Sequence, residues 1–317
     1  MALTVYEILP SVSTRDDVIN DPAMREKADH DYRTSRTGPW TTLLPSMVAY
    51  CPLSQIISAE ELADLHRRAE SIAQETGRLH DKLLARQFAS DGDMRGQMEY
   101  VFHLSNRSPY FKSEPGKKYA TILQMLQYPF SRGSIHIPPR KGSSRTSIND
   151  KPVIDPRYYL GPGEIDKKVM AASSRFTDRI CQTQPLADII KHRVCPPLDE
   201  SRSEADIREE FVTNQTTTDW HRKSLVPFSV SYSMNNRSTA VGTCAMGGHE
   251  GVKAGVVDKR LRVYGVRGLR VADASVCPLE VGAHIQATIY TIAEKAATMI
   301  LEDKRGGATL NGHVGKL

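Results

Sequence analysis

Apolar positions recur at helical spacing near the end of the chain. Ile289, Ile292, Ala293, Ala296 and Ile300 share one face between residues 286 and 301, which predicts a helix. Just before it, VVDKRLRVYGV (256–266) and GLRVADAS (268–275) predict two short strands, the second running out into small residues. Upstream, Ser58-Ala-Glu-Glu61 has the form of a capping box. Leu62, Leu65, Ala69 and Ile72 supply the stripe of the helix it opens, and GRLHDKLLARQF resumes helically from Gly77. Residues 119–127 fit strand or helix by pattern alone, whereas 130–137 alternate as a strand does, with Gly133 permitting a bend. A helical region is expected from Asp166 to about Arg193, interrupted near Pro185 and ended by Pro196-Pro197, and an acidic helix over 201–211. Residues 1–55 read as irregular, punctuated by Pro, Ser and Asp. The sum is an α+β fold: an antiparallel sheet with packed helices, then C-terminal strands and a helix.

Composition narrows the function classes. The chain has 317 residues, room for one large domain or two. With 39% hydrophobic and 25% charged residues it is an ordinary globular sequence. The net charge of +5 is scattered among acids, so no nucleic-acid footprint is expected. No apolar run approaches the ~20 residues of a membrane span. The opening MALTVYEILPSVSTRDD lacks the charged start and apolar core of a signal peptide, so a cytoplasmic location is the default expectation. The five cysteines form no CxxC and no Cys/His array, which favours buried thiols and predicts no metal site. His66 and His80, on predicted helices, have no paired ligand or base nearby in the sequence, and His136, on a predicted strand, points the opposite way from Ile135 and Ile137.

The C-terminal third carries the specific signal. Val241-Gly-Thr-Cys-Ala-Met-Gly247, Val256-Val-Asp258, Leu261-Arg-Val-Tyr-Gly265, Leu269-Arg-Val-Ala-Asp-Ala-Ser275 and Gly282-Ala-His-Ile-Gln-Ala-Thr288 follow one another in order. Together they resemble the C-terminal signature of the glucose-methanol-choline (GMC) flavoprotein oxidoreductases. The stretch from Pro129 resembles that family's P-x-S-R-G-x-I strand, and 154–158 its I-D-P-x-Y turn. The nearest subgroup resembles the aryl-alcohol and choline dehydrogenase branch. The resemblance implies a residual segment or linker at 1–39, a substrate-binding domain over 40–240, the last segment of an FAD-binding domain over 241–305, and a tail over 306–317. TGPWTTL at 37–43 resembles the entry to the substrate domain, where Trp40 either lines the cavity or packs in a core.

Two departures stand out. The family places a His-Pro directly before Val-Gly-Thr-Cys, but this chain has Ser238-Thr-Ala240 there. Taken in register, Thr239 holds the base position, and threonine takes up no proton near neutral pH. The family's lead-in, ending T-x-W-H, stands instead at Thr218-Asp-Trp-His221. Arg222-Lys-Ser224 can be encoded with an intron 5′ end, and Thr239-Ala240 with an intron 3′ end. Joining the flanking bases makes a Pro codon and restores His221-Pro-Val241, so residues 222–240 are expected to be a translated intron. A surface-loop insertion is the alternative. The second departure is that no G-x-G-x-x-G turn occurs, so the chain resembles the C-terminal half of a GMC enzyme.

The resemblance implies oxidation of a small-molecule alcohol, with a base taking the hydroxyl proton and FAD taking the hydride. His221 is then the base and His284 the hydrogen-bonding partner of the substrate oxygen. The backbones of Asp273-Ala274 and Ile285-Gln286 would approach the flavin, helped by the dipole of the helix starting at Gln286. The N-terminal FAD-binding half would be missing or supplied in trans. The rival expectation is a catalytically inactive relative: a binding or scaffolding domain, or a pseudogene product.

Overall fold

A computed structural model describes residues 1–41, 47–89, 95–138, 147, 149–216 and 241–311, with side chains to 305. These residues form two compact units. One takes in Met1–Arg132 and residues from Arg157 to 216; the other takes in Gly133–Pro156 and residues 241–311.

The first unit is built on a five-stranded antiparallel sheet in the order β2-β3-β4-β1-β7. Its strands are β1 (Ala2–Ile8), β2 (Met47–Cys51), β3 (Met98–His103), β4 (Lys118–Leu126) and β7 (Ile190–Cys195). Residues 119–127, ambiguous by pattern, are therefore strand.

Residues 1–55, expected to be irregular and over 1–39 a linker, instead supply the strand between β4 and β7. The reason is burial on both faces. Ala2, Tyr6 and Ile8 enter one apolar cluster, Leu3 and Val5 another. A strand covered on both sides shows no polar alternation to read. Its polar members are satisfied: Gln124 Nε2 donates to Thr4 Oγ1 at 2.7 Å. Glu7 is held below the usual carboxylate range by Lys191 and Lys117, against the opposing effect of its burial.

Two helices follow β1. Thr14 and Asp17 form a capping box for α1 (Arg15–Asn20), and Asp21 caps α2 (Pro22–Ser35), which has proline in its first turn. The capping box at Ser58 opens α3 (Ala59–Thr76), and Gly77 closes it in the left-handed conformation. Leu65, Ala69 and Ala73 of α3 and Leu84 and Ala85 of α4 (Leu79–Ala85) join the main core.

The expected long helical region ends earlier than its pattern suggested. α5 (Glu164–Cys181) is followed by β7, so residues 190–193 are strand, not helix. Pairing with β1 overrides the local pattern. The acidic helix forms as α6 (Glu204–Gln215).

α5, α6 and β7 meet over two sequestered arginines. The Arg208 side chain is 0% exposed and that of Arg193 4%. Arg208 reaches Asp178 and Glu204 and donates to Ser174 O at 2.9 Å. Arg193 contacts the same two carboxylates and donates to Pro196 O at 2.8 Å. Tyr6 Oη of β1 donates to Asp178 Oδ1 at 2.7 Å.

In the second unit, β5 (Ser134–His136) pairs with β6 (Val153–Asp155), and α7 (Gln286–Asn311) ends the described chain. The two C-terminal stretches expected to be strands, 256–266 and 268–275, form only isolated bridges: the first folds back on itself at Val257 to Val263 and meets the second at Arg262 to Arg270.

Arg208→Ala removes a fully buried side chain and its charged hydrogen bonds, while Asp178 and Glu204 keep Arg193. It is expected to destabilise the protein by about 1.5–3 kcal/mol. Urea denaturation followed by circular dichroism checks this, and an unchanged midpoint contradicts it.

Candidate functional site

The blocks around 241–276 are knitted by backbone. Cys244 N–H donates to Ser275 O and Met246 N–H to Val276 O, each at 3.0 Å. Gly247 N–H donates to Val257 O at 3.0 Å and Val256 N–H to Ala245 O at 2.8 Å. Val271 N–H reaches Leu261 O at 3.1 Å. Glycine makes this possible: a Cβ on Gly255 would lie 2.3 Å from Ala245 O and 2.5 Å from Gly247 N. Val257, Leu261, Val276 and Ala296 of α7 form one buried cluster with Met246 and Ile292 against it. Of the predicted face of α7, Ala296 is buried, while Ile300 is 38% exposed.

Asp273 is half-buried and turns its carboxylate on its own loop, accepting from Ser275 N–H at 2.9 Å and from Ser275 Oγ. Ala274 and Ser275 are buried behind it. His284 is exposed in the loop before α7. Ile285 is buried, and its carbonyl accepts Ile289 N–H at 2.9 Å as α7 begins. Gln286 is exposed and donates from Nε2 to Tyr290 Oη at 3.2 Å. His221 and Trp220 lie outside the described residues, as does the whole of 222–240.

α7 is also fixed at its far end, by residues that sequence reasoning passed over. Arg260 Nη2 donates to Met299 O at 3.0 Å and to Asp303 Oδ1 at 2.7 Å, and Arg270 pairs with the same Asp303. The sequence signal was only four arginines in 260–270, two of which, Arg260 and Arg270, have partners 33 to 43 residues away. Asp258 shapes the turn ahead of them. It accepts N–H groups of Arg260 and Arg262 at 2.8 and 2.9 Å and the Arg262 guanidinium at 2.8 Å.

The other histidines are placed as packing or surface residues. His66 Nε2 lies 3.4 Å from Glu70 on α3, and His80 Nδ1 lies 3.1 Å from Asp81. His136 is exposed on β5. Trp40 donates its indole N–H to Asp29 at 2.8 Å and packs on α2. A cavity of about 870 Å³ in the first unit runs between residues 54–58 and α5, past Glu61, Arg175 and Arg179. It contains none of the candidate residues.

The donor set fits the ring end of a flavin. First-turn amides of a helix have no intrahelical acceptor and carry the positive end of the dipole. At α7 they follow small and exposed residues, Ala283 and His284. The pyrophosphate would need a glycine turn that this sequence does not contain.

Burial pushes the Asp258 carboxyl up, but the Arg262 and Arg260 amides and the Arg262 guanidinium outweigh it and hold its pKa below the usual range. A depressed carboxylate stabilises the fold above its unfolded pKa of ~3.9 and loses that contribution as pH falls through the lower folded value. Asp258→Asn is expected to flatten the acid limb of stability below about pH 4. Urea midpoints measured from pH 2.5 to 6 check this; identical acid limbs contradict it.

Comparison with known proteins gives the family. The GMC oxidoreductase C-terminal profile matches residues 129–293. The dehydrogenase citC of Monascus ruber is 30% identical over 99% of this chain and 48% of its own length. The alcohol oxidase of Pichia angusta is 28% identical over 95% of this chain and 48% of its own. Formate oxidase of Aspergillus oryzae shares the fold at TM-score 0.70 and 20% identity, over 96% of this chain and 46% of that one. A fungal aryl-alcohol oxidase does so at TM-score 0.63 and 21% identity, over 96% and 48%. The chain thus spans about half the length of the relatives it matches. It belongs to the GMC oxidoreductase family, a family of FAD-dependent enzymes.

Proposed function

We propose that this chain is the substrate-side and C-terminal part of an enzyme that oxidises the CH–OH group of a small-molecule alcohol. The observation that carries the reading is the ordered set of family blocks, which the second unit folds together by backbone hydrogen bonds. The likeness to an alcohol oxidase over 95% of the chain supports the substrate class. FAD, when bound, supplies the hydride acceptor. In this reading residues 40–240 bind substrate, 241–305 complete the flavin domain, and a dinucleotide-binding half not among these 317 residues completes the FAD site.

The chain's own residues handle the proton. His221 takes it from the substrate hydroxyl, as an imidazole with an unperturbed pKa of ~6.5 can near neutral pH. His284 donates a hydrogen bond to the same oxygen as it gains negative charge, a service worth most where water is excluded. Backbone groups at 273–274 and 285–286 orient the ring.

His284→Ala, assayed with the dinucleotide-binding half supplied, is expected to keep bound-flavin absorbance. Alcohol-dependent dye reduction should fall about 10²–10³-fold. Equal turnover by variant and parent contradicts the role. Thr239 at the in-register base position favours a second reading, a catalytically inactive relative. That reading predicts a colourless protein with no turnover even when the other half is present.

We also propose that residues 222–240 are a translated intron. Sequencing the transcripts is expected to reveal a spliced form encoding His221-Pro-Val241. Genomic DNA without GT and AG at these codons contradicts it.

A further inference from the structure

The chain leaves the first unit after Arg132, re-enters at Arg157, and leaves again beyond α6, whose last described neighbour is Thr216. One set of side chains touches all three points. Asp166, 2% exposed in the first turns of α5, accepts Phe130 N–H at 2.9 Å and Ser131 N–H at 2.6 Å. Ser131 Oγ in turn accepts Tyr159 N–H at 3.2 Å. The Tyr159 hydroxyl is hydrogen-bonded to Thr216 Oγ1.

The surroundings are built around this set. Arg157 and Tyr159 hold positive φ, 48° and 61°, a region that side chains with a Cβ disfavour. Such conformations persist where neighbouring contacts impose them. A Cβ on Gly163 would lie 2.4 Å from Ser131 Oγ, so this position leaves room only for hydrogen.

We propose that Asp166, Ser131, Tyr159 and Thr216 form a clasp that binds the three exits of the first unit into one cooperative element, with Asp166 as its positioning residue. Thr216 stands five residues before His221, the candidate base of the proposed function, in the sequence; the clasp does not rest on that reading.

The clasp has a pH signature. Burial raises the Asp166 carboxyl to about 6, against the hydrogen bonds from Ser131 and Phe130 and the attraction of the Met1 amino group. Burial, and to a lesser degree Asp166, push the Tyr159 hydroxyl above its ordinary value. Opening the clasp would return the carboxyl to water and to a pKa of ~3.9. A carboxyl whose pKa is higher closed than open stabilises the closed state at acid pH. That contribution is lost as pH rises through the closed value of about 6.

Hydrogen exchange of the full chain, corrected for intrinsic rates, tests this without flavin or activity. From pH 5 to 7.5, protection at the Phe130, Ser131 and Tyr159 amides is expected to fall about 10-fold or more. Asp166→Asn should abolish that pH dependence. Tyr159→Phe should keep it at 130–131 while raising exchange at Thr216 several-fold, with protection in β1 and β4 unchanged. The clasp is overturned if wild-type protection is flat with pH. It is equally overturned if Tyr159→Phe leaves Thr216 unaltered, a result that can be read even where the Asp166 variant does not fold.

Discussion

Two guanidinium groups closed off from water set the terms for the first unit. Arg208 and Arg193 cannot be left unpaired there, because a buried charge without a partner costs several kcal/mol. Asp178 of α5 and Glu204 of α6 neutralise them, and Tyr6 of β1 shares Asp178. The pairing fixes α5 against α6 and β7 and ties it to the strand between β4 and β7. The other end of α5 carries Asp166, which grips the chain where it leaves the sheet. One helix is thus held by charge at its C-terminal half and by a buried carboxyl near its start.

The second unit is held differently. Its core is small, so backbone does more of the work: glycines at 247 and 255 let neighbouring segments touch main chain to main chain. Arginines 260 and 270 then tie the loop to the far end of α7. The loops at 273–276 and 283–286 are fixed through one cluster, since Val276 and Ala296 share it. These loops carry small residues, the first-turn amides of α7 and an exposed His284.

Sequence patterns revealed what depends on local chemistry. The capping box at Ser58, the stripe of α3, the acidic helix α6 and the start of α7 were all legible, because caps and helical faces are written within a few residues. β1 was hidden because both of its faces are buried. β7 was hidden because its identity comes from pairing with β1, over 180 residues away. The blocks containing the glycines, Asp273 and His284 were readable as family sequence from order and spacing. The arginine ties to Asp303 were not, since the partners are distant in sequence and unremarkable in type. Asp166 also escaped notice: an acid near a helix start reads as a dipole preference, and only burial shows it as an anchor.

The central claim is that the loop before α7 presents His284 to the oxygen of an alcohol held against a flavin. A crystal structure of the protein with its dinucleotide-binding half, FAD and an unreactive alcohol analogue tests it most directly. The account predicts an imidazole nitrogen of His284 about 2.6–3.2 Å from the analogue's oxygen, with main chain at 285–286 against the ring. An analogue bound elsewhere, with His284 turned to bulk water, would contradict it.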